Sequence, residues 1–164
     1  MADILQADHP TSLITGAASG IGKAIAQHAY KEGHNLILVD IDEINLIETS
    51  DQFKTTNKIE VIADLSSYED ISKLKKTVDS QCNVVNYLFN NAGIFLEGRS
   101  WKLSSDAWSK IININLLATI RMTSAFLPSM IESNQKCHVV NTASMAGVIT
   151  VSYTHLTLPT KVYV

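Results

Sequence analysis

Short apolar runs alternate with helix patterns along this chain, and that alternation limits the fold more than any single residue does. The runs are "TSLIT" (11–15), "NLILVD" (35–40), "IEVIAD" (59–64), "VVNYLFNNAG" (84–93) and "CHVVNTAS" (137–144). "NLILVD" is apolar without a break and ends in an acid, the pattern of a strand buried on both faces of a parallel sheet. Between the runs, Ile21, Ile25 and Ala29 share one face of a helix that Gly33 stops. A polar helix is expected near 42–54, and Ile71, Leu74 and Val78 keep helical step over 67–80. One long helix is expected from about Ser104 to Ile131, with Ser104 as its N-cap and Asp106 in its first turn. Its apolar residues, among them Ile112, Ile114, Leu117 and Phe126, exceed one stripe. Two buried faces are therefore expected, one on the sheet and one against a second subunit. Strands alternating with helices predict βαβ units with right-handed crossovers, hence an α/β fold built on a doubly wound parallel sheet.

Composition narrows the partners. The 164 residues suffice for one domain with a sizeable core. A net charge of −3 with no basic run argues against nucleic acid and anionic membrane as partners. No uninterrupted apolar run approaches the roughly 20 residues a bilayer span needs. The start, "MADILQADHP", carries two acids and no apolar stretch, so no secretory signal is expected there. Cys82 and Cys137 lack CxxC spacing and read as ordinary buried thiols of a reducing compartment. The five His residues lack metal-ligand spacing, and no metal is expected. A cytoplasmic protein is the expectation.

The chemistry concentrates in "TGAASGIG" (15–22), set between the first strand and the first helix. A phosphate-binding Gly loop needs that context. Gly16 permits a tight turn, Gly20 lets the backbone approach a pyrophosphate, and Gly22 lets the helix pack closely. The bland alternative is a Gly-rich turn with no ligand. A P-loop is excluded, because no Gly stands five residues before Gly22 and Ala24 is neither Ser nor Thr. Asp40 ends the second strand, about where a ribose-binding acid is expected. Its carboxylate would repel a 2′-phosphate, and neither Ser19 nor Ile41 supplies a cation for one. NAD is favoured over NADP.

Four motifs in order then carry a resemblance. "TGAASGIG", "NNAG" (90–93), Asn115 in "NINL" (113–116) and Ser144 in "NTASMAG" resemble the short-chain dehydrogenase/reductase family, over about residues 11–150. The resemblance implies a Rossmann-type fold, here truncated to about five strands in the order 3-2-1-4-5. It implies an oxidoreductase moving hydride between nicotinamide and a small-molecule carbonyl or alcohol, in a homo-oligomeric parent. It also implies cofactor contacts from Thr15, Gly16, Ser19, Gly20, Ile21 and Gly22. By the same resemblance Asp64 and Leu65 flank the adenine, and Asn91, Ala92 and Gly93 line the cofactor. Ser144 then bonds the substrate oxygen, and Asn115 holds a water for proton relay. Each residue has a plainer alternative. Asn90 and Asn91 can close a strand–helix turn, Asp64 can be an N-cap, Asn115 can bond within its helix, and Ser144 can be a loop residue. Trp101 and Trp108 read as packing residues.

The family's Tyr-x-x-x-Lys is missing. Thr157 stands at the Tyr position and Lys161 at the Lys position, with Pro159 between them. Tyr153 is too close to Ser144 and has Thr157 four residues on. A Thr hydroxyl is a far weaker acid than a phenol, so the chain as printed is expected to be inactive. "VSYTHLTLPT" (151–160) resembles the conceptual translation of a transposase adapter used in preparing sequencing libraries. The expectation is an NAD-binding domain over 1–150 and a non-native tail over 151–164. The alternative is an NAD-binding sensor with Thr157 in place of the catalytic Tyr.

Overall fold

The computed structural model describes residue 5 and residues 8–145. Five strands form one sheet: β1 (Thr11–Thr15), β2 (Asn35–Asp40), β3 (Lys58–Ile62), β4 (Tyr87–Asn90) and β5 (His138–Asn141). All pairs are parallel, and the order is β3-β2-β1-β4-β5. The register sets Leu13 beside Ile37, Ile14 beside Phe89, Val39 beside Val61, and Phe89 beside Val140. The α-helices are α1 (Gly20–Lys31), α2 (Glu43–Ser50), α3 (Tyr68–Asp79), α4 (Ser105–Ile112) and α5 (Ala118–Glu132). The order reverses between β1 and β4, and in such sheets ligands bind beyond the carboxyl ends of the strands at that switch.

Strands β1 and β2 are buried along their length, as the unbroken apolar run of β2 predicts for that strand. Leu13, Ile37, Val39 and Leu88 pack against Ile71, Leu74 and Val78 of α3 and Met122 and Phe126 of α5. Ile14, Leu36 and Leu38 pack on the other side against Ala26 and Ala29 of α1, Leu46 of α2, and Phe53. Each such fully buried Leu, Ile or Phe contributes roughly 1.5–3 kcal/mol relative to exposure. Asp42, Ser67 and Ser104 cap α2, α3 and α4, each accepting from an amide three residues on. Small residues on the inner side of α1 let it lie close to the sheet.

Several expectations are corrected. The helix expected over 104–131 is interrupted: Asn113–Leu117 form a π-helical turn in which the Ala118 N–H reaches back to the Asn113 carbonyl. The apolar periodicity runs straight through this turn, so it leaves no mark in the pattern. On this single chain the segment buries the stripe Ala118, Met122, Phe126 and Met130 against the core, and the side expected to meet a second subunit, with Ile112, Leu116, Ile120, Leu127 and Ile131, is exposed. By length and composition alone Ser105–Glu132 could cross a membrane, with mean hydropathy 1.2, but its buried stripe is packed into the domain core. Ile21 does not share the buried face of α1: it is 63% exposed, and Gly22, Ala26 and Ala29 are buried instead. The fourth and fifth strands are shorter than their apolar runs, because ladder partners exist only over 87–90 and 138–141. Trp101 is exposed, with the Arg99 guanidinium 5.7 Å from its ring, and Trp108 is also exposed. Cys82 and Cys137 are half-buried thiols. Tyr153, Thr157, Pro159, Lys161 and the adapter-like tail lie outside the described residues.

Candidate functional site

The loop after β1 is built by its neighbours. The Thr15 hydroxyl donates to the Phe89 carbonyl at 3.1 Å and accepts from the N–H groups of Asn91 and Ala92 at 2.9 and 3.0 Å. Asn91 returns the contact, its Nδ2 donating to the Thr15 carbonyl at 3.1 Å. The ends of β1 and β4 are thereby locked together. Ala17 N–H donates to the Val39 carbonyl at 3.1 Å, and Ala18 N–H to Asp40 Oδ2 at 2.9 Å. The Thr49 hydroxyl of α2 donates to the Ala18 carbonyl at 3.0 Å. Thus β2 and α2 hold the other side of the loop.

The glycines are required by contact. A Cβ on Gly22 would stand 2.0 Å from the Gly16 carbonyl oxygen and 2.7 Å from Asn91 Nδ2. Gly22 therefore serves close approach to the loop itself and to Asn91 just past β4, a more specific role than helix–sheet packing. Gly16 has φ +67°, with Ala92 Cα 2.9 Å from where its Cβ would be. Gly20 differs: φ is +51°, and a Cβ there would meet nothing within 4 Å. Its outer side faces open space.

Beyond these strand ends lies a cleft of about 410 Å³, within the size range of small-molecule sites. Gly16, Ser19, Gly20 and Ile21 line one wall and Asp40 and Ile41 the next. Ala63, Asp64 and Leu65 line a third, and Asn91, Ala92, Gly93 and Ile94 the floor, with Ile114 and Thr142 at the far end. No Lys or Arg is among these lining residues. The cleft thus brings together Gly16, Ser19, Gly20, Ile21, Asp40, Asp64, Leu65, Asn91, Ala92 and Gly93 of the sequence-predicted set. Thr15 and Gly22 act from behind it.

Three details give the cleft its chemistry. The N-terminus of α1 opens into it with no side-chain cap and no acid in its first turn. The Gly20, Ile21 and Gly22 amides there lack intrahelical partners, as at any helix start, and suit an anion. Asp40 Oδ2 accepts from Ala18 and Oδ1 from the Asp42 N–H at 3.0 Å. A carboxylate has about four acceptor positions, so about two remain open toward the cleft. Asp64 is not an N-cap, a role Ser67 takes; its Oδ1 instead accepts from the Ser66 N–H at 2.9 Å, tightening the turn after β3.

Asn115 sits in the π turn and does not bond back within its helix through its side chain. Its amide reaches Ile94, accepting from the N–H at 2.8 Å and donating to the carbonyl at 2.9 Å. Ser144 lies just past β5, exposed, and is not among the cleft-lining residues. Thr142 was not legible as a site residue: it lines the cleft, and its hydroxyl donates to Asn91 Oδ1 at 3.1 Å. Its signal was only its place two residues before Ser144. Ala63, Ile94 and Ile114 were missed because an apolar residue at a strand or helix end carries no mark of facing a cleft, whereas Ile41 lines the wall beside Asp40 where the cofactor argument set it.

The geometry has counterparts. A family model described as short chain dehydrogenase matches residues 10–156. A "CLA biosynthesis dehydrogenase/reductase" of Lactiplantibacillus plantarum is 34% identical over 138 residues, 83% of this chain and 48% of that protein. A "diacetyl reductase [(S)-acetoin forming]" of Staphylococcus epidermidis is 31% identical over 139 residues, 84% of this chain and 54% of that protein. A crystal structure of a short chain dehydrogenase/reductase from Burkholderia phymatum in complex with NAD superposes with a TM-score of 0.84 at 30% identity, covering 99% of this chain and 61% of that one. The chain spans about half the length of these curated relatives.

Proposed function

The chain belongs to the short chain dehydrogenase family, and from that premise we propose that its cleft is an NAD site. We further propose that the complete protein is an oxidoreductase acting on a small carbonyl or alcohol. The observation that carries the cofactor reading is Asp40: a carboxylate at the wall of a cleft with no lining cation, held by two amides with acceptor positions to spare. Those positions suit the two hydroxyls of an adenosine ribose. A 2′-phosphate would meet a negative charge with no Lys or Arg among the described lining residues to offset it.

The residues fit the rest of the cofactor in turn. The uncapped start of α1 and the open side of Gly20 suit a pyrophosphate. Asp64 and Leu65 suit the adenine edge, and Gly93, Ile94 and Thr142 the other end. Bound NAD supplies a hydride acceptor or, reduced, a donor at its nicotinamide ring. Ser144 is the group we assign to the substrate oxygen. Asn115 has its side-chain amide on Ile94, and we assign its part in a relay to its backbone carbonyl, which also accepts from the Thr119 hydroxyl at 3.4 Å in a turn where the helical bonding is already irregular. Asn90 and Asn141, joined at 2.8 Å, keep β4 and β5 in register beneath these groups. The chain as printed carries Thr157 where the family has its Tyr and should turn over negligibly. Loss of general acid–base catalysis costs about 10²–10⁴-fold.

Calorimetric titration tests the cofactor reading. The chain should bind NAD more tightly than NADP, and Asp40→Ala should narrow the difference. Equal or tighter NADP binding by the unmutated chain would remove the ground for NAD.

A further inference from the structure

One helical segment supports two separate walls of the cleft. In its π turn Asn115 holds Ile94 on the floor. Further along, at 121, the Arg121 guanidinium reaches out of α5 and Nη1 donates to the Ser66 carbonyl at 2.9 Å. The two residues lie on the order of 9 Å apart along the helix. Ser66 closes the turn that presents Asp64 and Leu65, with its own N–H on Asp64 Oδ1 and the Ser67 N–H on the Asp64 carbonyl at 2.9 Å. Ala63 and Leu65 are buried in the same cluster as Ala118 and Met122 of α5. The Ala63 N–H on the Asp40 carbonyl at 3.0 Å and the Asp64 N–H on Asp70 Oδ2 at 3.2 Å tie this wall to β2 and α3, whereas toward α5 it is held by packing, which is non-directional. The Arg121 bond has direction. Arg121 is half-buried, and among the described residues no carboxylate pairs with it, so its charge is directed to this carbonyl.

We infer that Arg121 is a positioning residue for the adenine end of the cleft, fixing the Asp64–Leu65 turn at a set distance from the floor that Asn115 holds. It does not touch the cofactor. This inference rests on the reading of the cleft as an NAD site. A charge-assisted bond to a carbonyl is stronger than a neutral one, and its loss corresponds to about a tenfold change in an equilibrium constant when the held group is the binding wall.

The test is a set of ligand NMR titrations of the chain with NAD, AMP and nicotinamide mononucleotide. The variants are Arg121→Met, which keeps the aliphatic stem, and Arg121→Lys, which keeps a charged donor. Arg121→Met should weaken NAD and AMP by the same factor, about tenfold, and leave nicotinamide mononucleotide unchanged. Arg121→Lys should recover at least part of the AMP loss. A merely structural role would weaken all three ligands alike, or lower the melting temperature with no preference among them; either result overturns the assignment. Loss of the fold in Arg121→Met would also overturn it, because the contact would then be a stability element. Undiminished AMP binding by Arg121→Met, with the unmutated chain binding NAD, overturns the role of Arg121 alone. No NAD binding by the unmutated chain overturns the cofactor reading and this inference together.

Discussion

Asn115 bonds both backbone groups of Ile94, accepting from its N–H at 2.8 Å and donating to its carbonyl at 2.9 Å. A side-chain amide here takes the place of a neighbouring strand for a residue that has already left β4. The π turn makes this possible by seating Asn115 beside the floor of the cleft, with its Oδ1 3.4 Å from where a Cβ on Gly93 would lie. Asn115→Ala removes two bonds, each worth about 0.5–1.5 kcal/mol net. The variant should lose roughly 1–3 kcal/mol in urea unfolding, and the Ile94 amide should exchange with solvent faster. Unchanged exchange at Ile94 would mean that the segment is held by something else.

Gly20 and Gly22 should respond differently to the same substitution. Gly22→Ala drives a Cβ into the Gly16 carbonyl, a backbone group that cannot step aside without moving β1. Stability and ligand binding should fall together. Gly20→Ala meets open space and costs only the strain of its positive φ, about 1–2 kcal/mol. Its methyl would nevertheless stand on the side proposed for the pyrophosphate. Gly20→Ala should therefore keep the cooperative melt and lose NAD affinity. The idea fails if Gly22→Ala melts like the unmutated chain.

Much of this architecture was legible because burial leaves a pattern. "NLILVD" marked a strand covered on both faces, and five apolar runs alternating with helices pointed to the parallel sheet, while its order came from the resemblance that the four motifs carry. The Gly loop and Asp40 were legible because a tight turn and an acid at a strand end restrict residue type. The π turn was not, since Ile112, Leu116 and Ile120 keep their spacing through it. Ile21 was misplaced because helical periodicity continues into the first turn of α1, where a cleft and not the sheet lies alongside. Arg121 and Thr142 depend on partners 55 and 51 residues away, and no local pattern records such contacts.

His34 should make stability depend on pH. Its ring stacks on Tyr87 at 5.1 Å between centroids, and its Nδ1 lies 2.8 Å from the Ser12 hydroxyl. Burial, the largest influence, pushes its pKa below the ordinary value; Glu32 opposes this, while His28 and His9 add to it. The unfolded chain then binds more protons than the native one, so stability rises with pH across this window. The contribution is full above about pH 6.5, the unfolded value, and is lost as pH falls from there through the lower native value. His34→Gln should shrink the difference in urea midpoint between neutral and mildly acidic buffer. A difference that stays the same would assign the pH dependence to other groups.

The exposed side of the long helix should cause the chain to self-associate. Ile112, Leu116, Ile120, Leu127 and Ile131 follow one another at helical spacing, and each is exposed. Contiguous apolar patches beyond a few hundred Å² are uncommon on monomers. Burying such a stripe against another copy would recover about 25 cal/mol per Å² of apolar surface. The opposite stripe, Ala118, Met122, Phe126 and Met130, already anchors the helix to the sheet, so a change on the outer side need not disturb the fold. Leu116→Lys combined with Ile120→Lys should leave the circular dichroism and melting midpoint nearly unchanged and shift sedimentation toward the monomer. An unmutated chain that sediments as a monomer at every concentration would mean that the stripe is tolerated bare.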